Sequence, residues 1–226
     1  GIVLRGYVHA TPFDFYDQNF VVGQNGAGNI IQNYGGGSNT TTYAVYMIYH
    51  NNLSVGYNTI NNTAGGGSGF TLTGYGIFTS TATSANLDII NNNVTVTSIA
   101  TTSSLAAISS SSGSTAAGNT VNVNNNVVTN CSYTTATTGT FDAIVASGSA
   151  AIVNMNSNTV SNNVQSGTGL FTCIEAGSPT TLNMNSNTVN GNQKTGASGT
   201  LYCTRAATSI ITYNNNNLYM KTRSSA

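Results

Sequence analysis

The sequence predicts an all-β fold, a parallel β-helix (β-solenoid) of about seven coils with asparagine ladders at a corner. Three observations carry this expectation. A short Asn-rich pattern returns at near-constant spacing, apolar residues keep one phase through every copy, and charged residues make up only 4% of the 226-residue chain, where about 25% is usual for soluble proteins.

The repeat comes first. Thr181-Leu182-Asn183-Met184-Asn185-Ser186-Asn187-Thr188-Val189 restates residues 151–160, whose core reads Asn154-Met155-Asn156-Ser157-Asn158-Thr159-Val160, and 53–60, 121–128 and 211–218 follow the same pattern. Anchoring each copy on its second Asn gives Asn29, Asn58, Asn92, Asn126, Asn158, Asn187 and Asn216, spaced by 29 to 34 residues. A period of this size marks a stacked repeat.

Each strand of the coil follows from the anchor. Five residues before it stand Leu53, Leu87, Val121, Val153, Leu182 and Ile211, and three before it Val55, Ile89, Val123, Met155, Met184 and Tyr213. Polar residues alternate with these, the period-two signature of a strand with one buried face. Two residues after the anchor stand Ile31, Ile60, Val94, Val128, Val160, Val189 and Leu218. Inward positions are odd before the Asn and even after it, so the chain turns a corner there. Asn suits a corner because it tolerates the left-handed conformation and its amide bonds locally. Asn156, Asn185 and Asn214 belong to the same corner. Stacked carboxamides are expected to donate to one neighbouring coil and accept from the other, which offsets the cost of taking them from water.

A second strand is expected about fifteen residues further on, at Phe141-Asp142-Ala143, Phe171-Thr172-Cys173, Leu201-Tyr202-Cys203, Leu105-Ala106-Ala107 and Tyr75-Gly76-Ile77, each pairing a large inward residue with a small one. The Gly/Ser/Thr stretches between strands, such as 65–69 and 110–114, are expected to be outer loops. Residues 1–20, with Pro12 and several aromatics, break the pattern and read as an entry, cap or docking segment; 21–220 form the β-helix and 221–226 a C-terminal tail.

The motif Asn-x-Asn-Thr-Val-x-x-Asn, at 156–163 and 185–192, resembles the parallel β-helix repeats of pectin-lyase-like proteins. The run from Thr138-Gly139-Thr140-Phe141 to Ser149, followed by Val153-Asn154-Met155-Asn156-Ser157-Asn158, is similar to the large repetitive surface and adhesin proteins that some bacteria secrete. The resemblance covers roughly residues 20–220 and implies a right-handed coil and secretion. It does not select an activity, because enzymes, adhesins and phage spikes share the coil.

Composition removes several function classes. Five Lys and Arg balance five Asp and Glu, so the field that draws nucleic acid or an anionic membrane is missing. No apolar run reaches the length of a membrane span. Cys131, Cys173 and Cys203 form no CxxC pair and have no nearby His, so neither a zinc site nor another cofactor is expected. The β-helix enzymes that share the resemblance cluster their acids. Here Asp14 and Asp17 are the only close pair, Asp88 and Asp142 fall in different strands and coils, and His9 and His50 lack a nucleophile motif.

Glu175 and Arg205 occupy matching places after Cys173 and Cys203, so a cross-strand ion pair is expected there. The two cysteines are expected as free thiols, because in-register β-carbons about 4.8 Å apart exceed disulfide spacing. Tyr43, Tyr46, Tyr49 and Tyr57 offer rings and hydroxyls for surface glycans.

The expected role is a non-catalytic structural β-solenoid, extracellular or at the cell surface, as a filament subunit or a segment of a surface fibre. An adhesin that binds glycans is the alternative, and a polysaccharide-degrading enzyme the second. Head-to-tail self-association is expected to set Phe13, Asp14, Phe15, Tyr16 and Asp17 against Lys221 and Arg223 of the next copy, a heterologous contact.

Overall fold

A computed structural model of the chain describes residues 1–7, 16–38, 40–80, 85–114, 118–208 and 211–220. They form a parallel β-helix whose wall has three faces. The first face stacks Ile2–Arg5, Thr41–Ile48, Thr73–Ser80, Leu105–Ser110, Phe141–Ala146, Phe171–Ala176 and Leu201–Ala206. The second stacks Val21–Val22, Leu53–Gly56, Leu87–Ile90, Thr120–Asn124, Ile152–Asn154, Thr181–Asn183 and Ile211–Thr212. The third runs from Ile30–Gln32 to Asn217–Met220 and carries the short extensions Thr97–Ser98, Ser132–Tyr133 and Val164–Gln165. Strands of successive coils pair in parallel. The first and second faces are seven strands deep, which makes about six full turns.

The register is the one the apolar phase requires. Leu53, Leu87, Val121, Val153 and Leu182 pair in sequence along one column, and Ile60, Val94, Val128, Val160 and Val189 along another. All ten are at most 3% exposed, so each contributes about 1.5–3 kcal/mol by leaving water. A slip of one residue would turn every one of them outward.

On the first face the strand bends inward over two successive residues. Ala107 and Ile108, Ala143 and Ile144, and Cys173 and Ile174 are all buried, which leaves Asp142 and Val145 on the outer surface. Phe141 and Phe171 stack inside with ring centroids 4.6 Å apart. The expected inward place for Tyr75 is corrected by one residue, since Gly74 pairs with Leu105 and Tyr75 faces out. Phe70 reaches in from the preceding loop to fill the missing volume; a Cβ on Gly74 would lie 2.0 Å from its ring.

Two further expectations change. Residues 110–114 are no outer loop, for Ser110, Ser112 and Gly113 are buried and Ser114 bridges Ser149 of the next coil. Coil pairing also begins before position 21, because Ile2–Arg5 pairs with Val45, Tyr46, Met47 and Ile48 and Asp17–Gln18 pairs with His50–Asn51.

Candidate functional site

The corner between the second and third faces is the most regular polar feature of the molecule. The Nδ2 groups of Asn29, Asn58, Asn92, Asn126, Asn158 and Asn187 donate to the Oδ1 of the next anchor at 2.8, 3.0, 3.0, 3.2, 3.1 and 2.9 Å. Each of these Oδ1 atoms also accepts the backbone N–H of the preceding anchor. The second Nδ2 hydrogen turns back and meets a carbonyl of the coil before, from Asn58 to Val22 through Asn216 to Met184. An inner rung therefore makes two donations and two acceptances, which is the full capacity of a carboxamide. That complete satisfaction is what lets Asn58, Asn92, Asn126, Asn158 and Asn187 sit at 0–1% exposure.

The geometry divides the corner's work between two residues. The left-handed position belongs to the residue before the anchor, at Tyr57, Asn91, Asn125, Ser157, Ser186 and Asn215, with φ between 54° and 60°. The anchor itself keeps negative φ and supplies the ladder. Asn156, Asn185 and Asn214 extend the corner outward in a different way, as the Oδ1 groups of Asn124, Asn156 and Asn185 accept the backbone N–H of the next coil.

A second corner repeats the device and escaped the sequence reading. Asn163 donates to Asn192 Oδ1 at 2.8 Å, and the Nδ2 groups of Asn163 and Asn192 donate back to the Val128 and Val160 carbonyls. Cys131 takes the place of an Asn one coil earlier. Its Sγ accepts the Val96 N–H at 3.3 Å and donates to the Val94 carbonyl at 3.7 Å, the same two directions an amide would serve. The left-handed residue again comes just before, at Asn130, Asn162 and Gly191. The available signal was the last Asn of the repeated Asn-x-Asn-Thr-Val-x-x-Asn motif.

Polar columns continue outside and inside the wall. On the second face Asn122, Asn154 and Asn183 donate in turn to Asp88, Asn122 and Asn154, each at 2.7 Å, and Thr212 donates to Asn183. Inside, Tyr133 bonds the Ser103 carbonyl, Gln165 those of Gly139 and Leu170, and the buried Lys194 ammonium the Gly167 and Gly169 carbonyls and Gln165 Oε1. These side chains satisfy loop carbonyls at the turn into the first face, those of Ser103, Gly139, Gly167 and Gly169, and add a second donor to Leu170, which already accepts the Phe141 N–H.

The ionisable groups gather on the outer first face more than the sequence suggested. Glu175 pairs in register with Arg205, Nη1 to Oε1 at 3.5 Å, with Arg205 also over the Tyr202 ring. Both side chains are partly exposed, so the pair contributes under about 1 kcal/mol. Asp142 stands one strand before Glu175, and burial, reinforced by the Glu175 charge, pushes its carboxyl up to about 6. Asp88 lies on the second face, apart from Asp142 as expected. Among the described residues no three His, Cys, Asp or Glu side chains converge as metal ligands would.

Earlier on the same face, Tyr43 stacks on Tyr46 at 4.5 Å and on Tyr75 at 5.2 Å, and Tyr46 stacks on Phe78 at 5.7 Å. The rings thus cover one another's faces. Cys131 and Cys173 are buried free thiols, and Cys203 is free and partly exposed.

The expected docking residues fare unevenly. Tyr16 is 4% exposed and packed with Ala85 and Tyr49, which takes its ring out of the surface, while Asp17 is partly exposed on a two-residue edge strand that pairs with His50–Asn51. Phe13, Asp14, Phe15, Lys221 and Arg223, with His9 and Pro12, lie outside the described residues. The coil defines the chain as a β-solenoid. It matches no family model, no curated protein and no solved structure.

Proposed function

We propose that this chain is a non-catalytic structural β-solenoid that works outside the cell, as a subunit of a filament or a segment of a surface fibre. The observation that carries the reading is the saturation of its corner amides: polar groups that could bind or react are engaged in bonds between coils. A wall held this way resists unfolding locally, because each rung has partners on both sides. The scarcity of charge and the resemblance to secreted surface repeats support an extracellular site.

A polysaccharide-degrading role is favoured by one observation, a carboxyl raised by burial, Asp142, on the same face as a second carboxyl, Glu175, on the neighbouring strand, since acid–base catalysis uses two carboxyls in unlike environments. The two stand on the open sheet rather than in a cleft. Glycan binding by the aromatic group is less favoured, since ring faces that would stack on sugars are turned to each other.

Incubating the purified chain with a panel of polysaccharides, alongside Asp142→Asn, separates these readings. The structural reading predicts no reducing ends or unsaturated products from either protein, together with long survival in protease. Turnover by the parent chain that disappears in Asp142→Asn would replace it with the enzyme.

A further inference from the structure

We propose that Tyr43 and Tyr75 form an oxidative cross-linking site, at which a haem peroxidase with hydrogen peroxide joins the two rings carbon to carbon and ties neighbouring coils covalently. The inference goes beyond the structural reading above and does not depend on it.

Ring geometry selects the pair. Thr41–Ile48 and Thr73–Ser80 run in parallel with Tyr43 opposite Tyr75, and both side chains stand half-buried on the outer surface of the first face. Their rings stack with centroids 5.2 Å apart and planes 12° from parallel. In-register α-carbons on neighbouring strands lie about 4.8 Å apart, so equivalent ring carbons sit one above the other and side-chain rotation alone brings two ortho carbons together. Tyr46 also stacks on Tyr43, at 4.5 Å and 25°. It stands three residues along the same strand, however, about 10 Å away in the backbone, and its ring is stacked on Phe78 as well. Among the described residues the one further close tyrosine pair, Tyr16 and Tyr49, is 6.1 Å apart and tilted by 42°, with Tyr16 buried.

The chain has twelve Tyr and no Trp, so phenols are its most readily oxidised rings. Burial raises both phenols, and the Asp142 charge raises that of Tyr75 further. At neutral pH each therefore reacts as the neutral phenol, losing one electron and one proton to become a phenoxyl radical. The unpaired electron spreads to the carbons ortho to the oxygen. Two such carbons form the new C–C bond, and each then gives up its hydrogen as the phenol hydroxyl is restored. For each link two electrons and two protons pass to one hydrogen peroxide, which becomes two waters. The bond closes a loop from 43 to 75 and constrains the unfolded chain as a disulfide does. An aromatic cluster whose faces are closed to sugars is in this way open to coupling at its ring edges.

Treating the dilute chain with a haem peroxidase and hydrogen peroxide tests this, with dityrosine fluorescence of the monomer and mass spectrometry of its peptides as readouts. The expected product is a monomer lighter by two hydrogens, whose digest contains one linked pair of peptides, joined through Tyr43 and Tyr75. Tyr75→Phe, confirmed as folded by circular dichroism, keeps the stacked ring without a phenol and should lose the monomer's dityrosine fluorescence. The same treatment in urea should lose the Tyr43–Tyr75 link, because the folded register is what brings the rings together. No link in the parent monomer overturns the proposal, as do links mainly at other tyrosines, fluorescence unchanged in Tyr75→Phe, or a Tyr43–Tyr75 link formed equally well in urea.

Discussion

Replacing Asn126 with alanine removes four hydrogen bonds from the middle of the ladder. The Asn92 N–H and Nδ2 lose their acceptor, the Ile89 carbonyl loses its donor, and Asn158 Oδ1 keeps only the Asn126 backbone N–H. Two buried donor hydrogens, the Asn92 N–H and one on Asn92 Nδ2, are left unpaired, while the other Nδ2 hydrogen keeps the Val55 carbonyl. At roughly 1–3 kcal/mol for each of the two, the expected loss is about 2–6 kcal/mol, a large part of a domain's stability. Asn29→Ala removes the same atoms at the partly exposed first rung, where Asn58 Oδ1 still accepts the Asn29 N–H, so it should cost under about 1 kcal/mol. Asn126→Asp keeps the acceptor for Asn92 but sets oxygen against the Ile89 carbonyl and Asn158 Oδ1. It should be at least as damaging as alanine at neutral pH and recover in part in acid, when its carboxyl protonates and donates once. Urea unfolding followed by circular dichroism measures all three. A cost for Asn126→Ala no larger than that for Asn29→Ala would refute the reasoning.

The remaining predictions concern other parts of the wall. Asp142 keeps its proton in the folded chain up to about 6 but releases it near 3.9 when unfolded. Stability is therefore fully present below that lower value and falls as pH rises from about 4 to 6, by about 1–2 kcal/mol after screening at a partly exposed site; Asp142→Asn should flatten this slope in urea titrations run at several pH values. Cys131→Asn should restore an amide to the second corner and raise the urea midpoint by the equivalent of about 1 kcal/mol, the net value of one better hydrogen bond; a drop of that size or more would deny that the thiol stands in for an amide. Burial pushes the Cys131 thiol up to about 12 and raises that of Cys173 further still, so at pH 8 both should react with a thiol reagent only after unfolding. Ser186→Val forces a β-branched residue into a left-handed position and should cost about 1–3 kcal/mol, whereas Ser186→Gly should be nearly neutral.

The coil was legible in the sequence because a repeat supplies many independent readings of one pattern. Leu53, Leu87, Val121, Val153 and Leu182 each fix the same column, and together they set both period and phase. The first ladder was legible for the same reason, though not which residue of the corner takes positive φ. Ser157 and Ser186 hold that position in the two clearest copies, and Ser is no strong marker of it.

The second corner was hidden by Cys131, which does an amide's work without looking like one. Tyr75 was misplaced because Phe70, five residues before Tyr75 and outside the strand, fills the column that the local alternation seemed to assign to Tyr75 itself. The closeness of Asp142 and Glu175 was invisible for a topological reason: they lie 33 residues apart in sequence, and only the bend that turns positions 142 and 145 outward together puts them on one surface.

Hydrogen exchange of the asparagine side-chain amides, read by nuclear magnetic resonance, tests the ladder most directly. The account predicts that the Nδ2 protons of Asn58, Asn92, Asn126, Asn158 and Asn187 exchange as slowly as the backbone amides of the buried strands, while those of the exposed Asn25 and Asn215 exchange freely. Side-chain protons at the five inner rungs that exchange as fast as the exposed ones would contradict it.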